Sequence, residues 1–156
     1  MNARQKVQQA RTILILDQPF FGALALRLKV VEDASRPTAW TDGTHLGYNP
    51  TFVEAISSEE LLGVIAHEVL HCANGHPWRR GGRHPLKFNI SADFAINYVL
   101  AESGFKLPKG CLRDPQFDGK SAEWIYNRLP PPPDGQQGGG KPGCGAEDVV
   151  DAPAPG

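Results

Sequence analysis

Residues 57–76 read SSEELLGVIAHEVLHCANGH, and the register of this stretch decides what the rest of the chain is built around. Ser57 with Glu60 three residues later, ahead of an apolar run, is a capping box. The serine oxygen accepts from a first-turn N–H and the glutamate reaches back to the cap. A helix is predicted over about 58–74, with Gly75 behind Asn74 as its C-terminal stop. Leu62, Ile65, Ala66, Val69 and Ala73 share one apolar face, and His67 and His71 lie on the other side. Four residues along an α-helix are about 400° of rotation and about 6 Å of rise, so the two imidazoles of HEVLH leave one face, a turn apart. Glu68 stands about 100° round from His67. Two histidines so spaced can grip one metal ion, and a glutamate beside that ion can act as base on its water. That geometry is why HExxH on a helix is the zinc-protease signature.

The motif is one ligand short, because a catalytic zinc takes three protein ligands and keeps a position for water. His76 follows His71 by five residues, beyond the Gly75 stop. His84 lies in the polar, basic stretch 76–87, and Asp93 lies on a second predicted helix. A ligand on a helix packed against the first is held more rigidly than one on a loop. This favours Asp93 as third ligand, with His76 as the alternative. Asn97 is four residues on and shares the face of Asp93. Its amide oxygen can accept the Nδ1–H of a ligating histidine and so fix the ring. The metzincin completion is excluded, since it needs a glycine at 74 and a histidine at 77, where this chain has Asn74 and Pro77. His76, Arg79 and Tyr98 are candidates for a second oxyanion donor.

Outward from the motif, residues 2 to about 17 carry Val7, Ala10, Ile13 and Leu14 at helical spacing, and Pro19 ends that helix or starts the next turn. Leu24, Leu26, Leu28 and Val30 alternate with Ala25, Arg27 and Lys29, which predicts a half-buried strand. Asp42-Gly43 between short arms predicts a hairpin, and Thr44–Tyr48 an edge to which an extended substrate could pair. Asn49-Pro50 reads as cap and first residue of a short helix through Ile56. Asn89 or Ser91 can cap the second long helix, which Gly104 stops. Ser121 opens a last short helix, SAEWIYNRL. From Pro130 the chain is Pro/Gly-rich with few apolar anchors. The division expected is a domain over 1–129 and a disordered tail or linker over 130–156.

The chain has 156 residues and a formal net charge of −1. One domain with a modest core fits that length, and the charge does not suggest a general nucleic-acid or membrane-surface binder. The expected partner is a peptide or protein substrate, with no nucleic acid and no membrane. Cys72, Cys111 and Cys144 are odd in number, far apart and without a CxxC, which reads as a reducing compartment without a disulfide framework. The N-terminus lacks the apolar run of a signal peptide. A cytoplasmic protein is expected.

PFFGALAL, TDGTHLGYNPTFV, ELLGVIAHEVLHCANGHPWR, FNISADFAIN, GFKLPKG and SAEWIY cover roughly residues 19–126. In this order they resemble the metallopeptidase domain found N-terminal to von Willebrand A-like modules in bacterial and phage proteins. The resemblance implies a zincin-like α+β fold: a small mixed or antiparallel sheet with a hairpin, packed on an HExxH helix, and a second ligand-bearing helix. It implies Zn²⁺ as cofactor, His67, Glu68 and His71 as zinc-site residues, and Asp93 in the matching second-helix motif. It also implies a von Willebrand A-like partner module; the sequence departs from that pattern where it runs into the low-complexity stretch from Pro130. Peptide hydrolysis with Glu68 as general base is the leading expectation. A zinc-stabilised binding or scaffold module with little hydrolysis is the alternative.

Overall fold

The computed structural model describes residues 1–131 and 148–152. Asn2 and Gln5 form a capping box that opens helix α1 (Ala3–Asp17), whose Val7, Ala10 and Leu14 point into the core. The strand predicted from Leu24 gives way to a second helix. Pro19 sits in the first turn of α2 (Pro19–Arg27), and strand β1 is confined to Lys29–Glu32. Leucine and alanine are strong helix formers, so their alternation here did not carry the β preference that β-branched residues would have added. Ala25 is buried and Leu26 exposed. A Cβ on Gly22 would come within 2.4 Å of the Ile15 Cα, so α2 crosses α1 at a contact only glycine permits.

Strands β2 (Ala39–Thr41) and β3 (His45–Tyr48) form the hairpin around Asp42-Gly43. Its turn is longer than two residues. Gly43 takes φ +92°, and Asp42 instead accepts through Oδ1 from the N–H groups of Thr44 and His45. β1 pairs parallel with β3 and β2 pairs antiparallel with it, giving the order β1-β3-β2. The expected substrate edge at Thr44–Tyr48 is therefore the middle strand, flanked on both sides, and the edge nearer the motif helix is β2.

Asn49 accepts from Thr51 and Phe52 to cap α3 (Pro50–Ala55). The Ser57–Glu60 capping box opens α4 (Ser58–Ala73), the helix of HEVLH. This helix is not simply amphipathic. Leu61 and every residue from Gly63 to His71 are buried, with α1 and α2 packed on it together with β2 and the second long helix. The histidine face is thus roofed by protein. Removing the cap by Ser57→Ala is expected to cost about 1 kcal/mol of stability, read as a lower urea midpoint at an unchanged m-value.

Gly75, at φ +70°, turns the chain into α5 (His76–Arg79). The next helix, α6 (Pro85–Glu102), starts earlier than the caps predicted at Asn89 or Ser91. Its cap is His84, whose Nδ1 accepts from the Lys87 N–H, and Pro85 supplies the first residue. Asp93 consequently lies in the helix interior rather than its first turn. A 3-10 turn (Pro115–Phe117) and α7 (Ala122–Tyr126), capped by Ser121, close against α6. Among the described residues, seven α-helices and a three-stranded mixed sheet make an α+β fold. None of these helices is long and apolar enough to cross a membrane.

Cys72 is a free thiol, while Cys111 is disulfide-bonded, contrary to the expectation of no disulfide. Connectivity cannot be read from spacing alone, and Cys144 lies outside the described residues. Of the predicted tail, residues 132–147 and 153–156 also lie outside them. Residues 148–152 run beside β2, where Val149 bridges to Thr41 in parallel.

Candidate metal centre

Successive turns of α4 present His67 and His71, and the facing turn of α6 presents Asp93. Their inner atoms converge: His67 Nε2 and His71 Nε2 are 3.0 Å apart, and Asp93 Oδ1 lies 3.1 Å from the first and 3.0 Å from the second. A fourth group joins them from the C-terminal segment. Asp148 Oδ2 is 2.5 Å from His67 Nε2 and 3.2 Å from His71 Nε2. All four residues are buried, and all four atoms lie within 4.8 Å of one another. A tetrahedral ion with bonds of about 2.0–2.1 Å sets its ligand atoms about 3.3 Å apart, close to the separations seen here.

The rings are held from behind. Asn97 Oδ1 lies 2.8 Å from His67 Nδ1, and Asn97 Nδ2 donates to the Leu112 carbonyl, which fixes the amide with its oxygen toward the ring. His76 does not enter the cluster. Its Nδ1 faces His71 Nδ1 at 2.9 Å, on the side of that ring away from Asp93. Burial, then His71 and Arg79, push the pKa of His76 down to about 2. His76 is therefore neutral and can accept the His71 Nδ1–H, leaving His71 Nε2 free to bind a metal, as Asn97 does for His67. His84, the remaining candidate, caps α6. Asn97→Ala is expected to weaken metal affinity about 10- to 100-fold with little loss of helix content, measured by competition with a chromophoric chelator.

Burial alone would lower the pKa of His67, but Asp148 and Asp93 outweigh it and hold the ring well above its usual value. His71 is raised as well, burial being outweighed chiefly by Asp148. Asp148 is driven the other way, below the carboxylate range, because the two imidazoles overcome the cost of burial. Glu68 is pushed well up, by burial first and then by the neighbouring Asp148 carboxylate. One oxygen each of Glu68, Asp93 and Asp148 is buried without a hydrogen-bond partner. Buried acceptors left bare are costly. The bare oxygens of the two aspartates are Asp93 Oδ2 and Asp148 Oδ1, whereas Asp93 Oδ1 and Asp148 Oδ2 face the histidines. Two imidazole nitrogens and two carboxylate oxygens around one point suit a divalent cation.

HEVLH, Asp93 and Asn97 thus come together, and His76 and His84 stay outside the group. Of the oxyanion candidates, Arg79 is engaged by Glu123 and the Asn74 carbonyl, His76 by His71, and the Tyr98 hydroxyl lies beside Gly119. The residue that sequence reasoning missed is Asp148. No spacing from HEVLH marks it. The available signal was Val149-Val150 between Asp148 and Asp151, a β-branched pair in a Pro/Gly-rich segment.

A family model described as "Putative metallopeptidase domain" matches residues 2–153, and the chain belongs to that family. Comparison with the curated proteins and with the solved structures returned no match.

Proposed function

From that family membership as premise, we propose that the chain is a zinc-dependent peptidase of zincin-like fold, with His67, His71 and Asp93 as metal ligands and Glu68 as general base. The observation that carries this reading is the convergence of His67 Nε2, His71 Nε2 and Asp93 Oδ1 to within 3.1 Å of one another beside a buried glutamate. A zinc ion bound there would bring the pKa of its water toward neutrality and polarise a scissile carbonyl.

The protein's own groups do the rest. Glu68 takes the proton as the water attacks and passes it to the leaving amine. Burial makes this carboxylate a stronger base than an exposed one. Asn97 and His76 keep both ligand rings in register. An extended substrate aligns along β2, which is tied to α4 where Thr41 Oγ1 and Cys72 Sγ meet at 3.2 Å.

The test is metal analysis of the full chain with an unbiased peptide-library cleavage assay, before and after chelation. One zinc per chain, with cleavage that is lost on chelation and returns with zinc, is the expected result. Bound zinc without chelator-sensitive cleavage would favour the second reading, a zinc-stabilised binding module working with a von Willebrand A-like partner. The observation on that side is Asp148, which brings the protein ligands to four, the number of a closed structural site.

A further inference from the structure

Asp148 stands apart from the other three candidate ligands in how it is held. His67, His71 and Asp93 project from the interiors of two long, mutually packed helices. Asp148 comes from an extended segment whose ties are few. Thr41 N–H donates to the Asp148 carbonyl at 2.7 Å, Val150 N–H to the Thr41 carbonyl at 2.8 Å, Ala152 N–H to the Pro77 carbonyl at 2.9 Å, and Asn89 Nδ2 to the Val149 carbonyl at a long 3.5 Å. Arg80 pairs with Asp151, whose side chain is 55% exposed, and exposed pairs of this kind hold weakly. Val149 and Val150 are only half-buried. The segment also leaves space beside it: a cavity of about 220 Å³ lies between Val149–Asp151 and His76, Arg80, Phe88 and Asn89.

These ties are the ones an extended peptide would make. The segment adds to the β2 edge by main-chain hydrogen bonds and brings a carboxylate to the metal cluster, while Arg80 takes a second acidic side chain three residues on. We infer that Asp148–Ala152 is a tethered occupant of the peptide cleft. Asp148 fills the fourth ligand position in a closed resting state, and departure of the segment opens both that position and the β2 edge to substrate. The inference rests on the metallopeptidase reading and deepens it. It makes the difference between a closed site and a catalytic one a matter of where five residues lie, since a catalytic zinc site keeps one position open and a structural one does not.

The experiment loads full-length wild type, Asp148→Ala and Asp151→Ala with Co²⁺ in place of zinc, records visible spectra, and titrates each with acetohydroxamate, a small chelating probe of an open position. Asp148→Ala is expected to keep one equivalent of metal on its three helix-borne ligands. Its spectrum should differ from wild type and it should bind the probe at least about 10-fold more tightly. Asp151→Ala loosens the segment but leaves Asp148 in place, and a gain of a few-fold is expected. Identical spectra and probe affinities in wild type and Asp148→Ala would overturn the inference, because Asp148 would then not occupy the position. Loss of metal from Asp148→Ala, with Asp151→Ala unchanged from wild type, would also overturn it, by making Asp148 a fixed ligand of a structural site. If the probe gains access as expected while neither wild type nor Asp148→Ala shows Glu68-dependent cleavage, the tethered occupant stands and the peptidase reading fails.

Discussion

Glu68→Gln is expected to keep its metal and lose its hydrolysis, with kcat/KM down by about 10³-fold, within the range that general-base catalysis contributes. Glutamine matches glutamate in size, so the buried site can hold it, but it cannot take a proton from the attacking water. The four converging atoms belong to His67, His71, Asp93 and Asp148, and none is touched by the substitution. Metal content should therefore match wild type. Stability should move the other way from activity. The carboxyl of Glu68 is held well above its usual pKa by burial and by Asp148, so ionised Glu68 opposes folding above about pH 4.5. The neutral amide removes that opposition, and the urea midpoint of the metal-free protein at neutral pH should rise. Loss of function with a gain in stability is the signature of a residue kept for chemistry. The comparison is made in wild type and in Asp148→Ala, with turnover and metal content measured on the loaded protein and urea unfolding after chelation. Turnover within threefold of the parent would remove Glu68 from the mechanism.

How much of this site sequence can show follows from what holds each piece. His67 and His71 were legible because a single helix fixes their spacing, and the Ser57–Glu60 box fixes that helix. Asn97 follows Asp93 by one turn, so placing one residue of α6 placed the other. The start of α6 was misread because Asn89 and Ser91 are good cap residues, while His84 caps through a ring nitrogen that composition does not advertise. The strand at Leu24–Val30 failed where a period-two pattern was written in helix-forming residues. The facing of α4 was only half visible. Periodicity separated the histidines from the apolar stripe, but that α6 and the 148–152 segment cover the histidines is a tertiary fact. Asp148 was out of reach for the same reason: its place depends on pairing between Val149 and Thr41, far apart in the chain.

Removing the metal should cost the protein about 10 °C in melting temperature at neutral pH, and the cost should grow as pH rises. A ligand at about 1,000 times its Kd adds roughly 4 kcal/mol to folding, and 1 kcal/mol is worth about 2–4 °C in a chain of this size. The pH dependence follows from what replaces the ion. Without metal, His67 and His71 have raised pKa values, chiefly through Asp148 and Asp93 acting against burial, so protons hold the carboxylates together. A raised histidine pKa gives stability that is fully present below about pH 6.5 and is lost as pH climbs through the folded value. Glu68, also raised, opposes folding increasingly over its own range. Both effects weaken the metal-free protein toward alkaline pH. The metal needs the rings deprotonated, so its hold strengthens over the same range. The difference in melting temperature between loaded and chelated protein should widen from pH 6 to pH 8, and metal binding near pH 7 should release protons, seen as a buffer-dependent heat in titration calorimetry. A difference that stays flat or narrows would mean that the histidine–aspartate pairs do not form in the metal-free protein. The raised pKa values of His67 and His71 would then have no structural basis, and the convergence of the four side chains would depend on the ion itself.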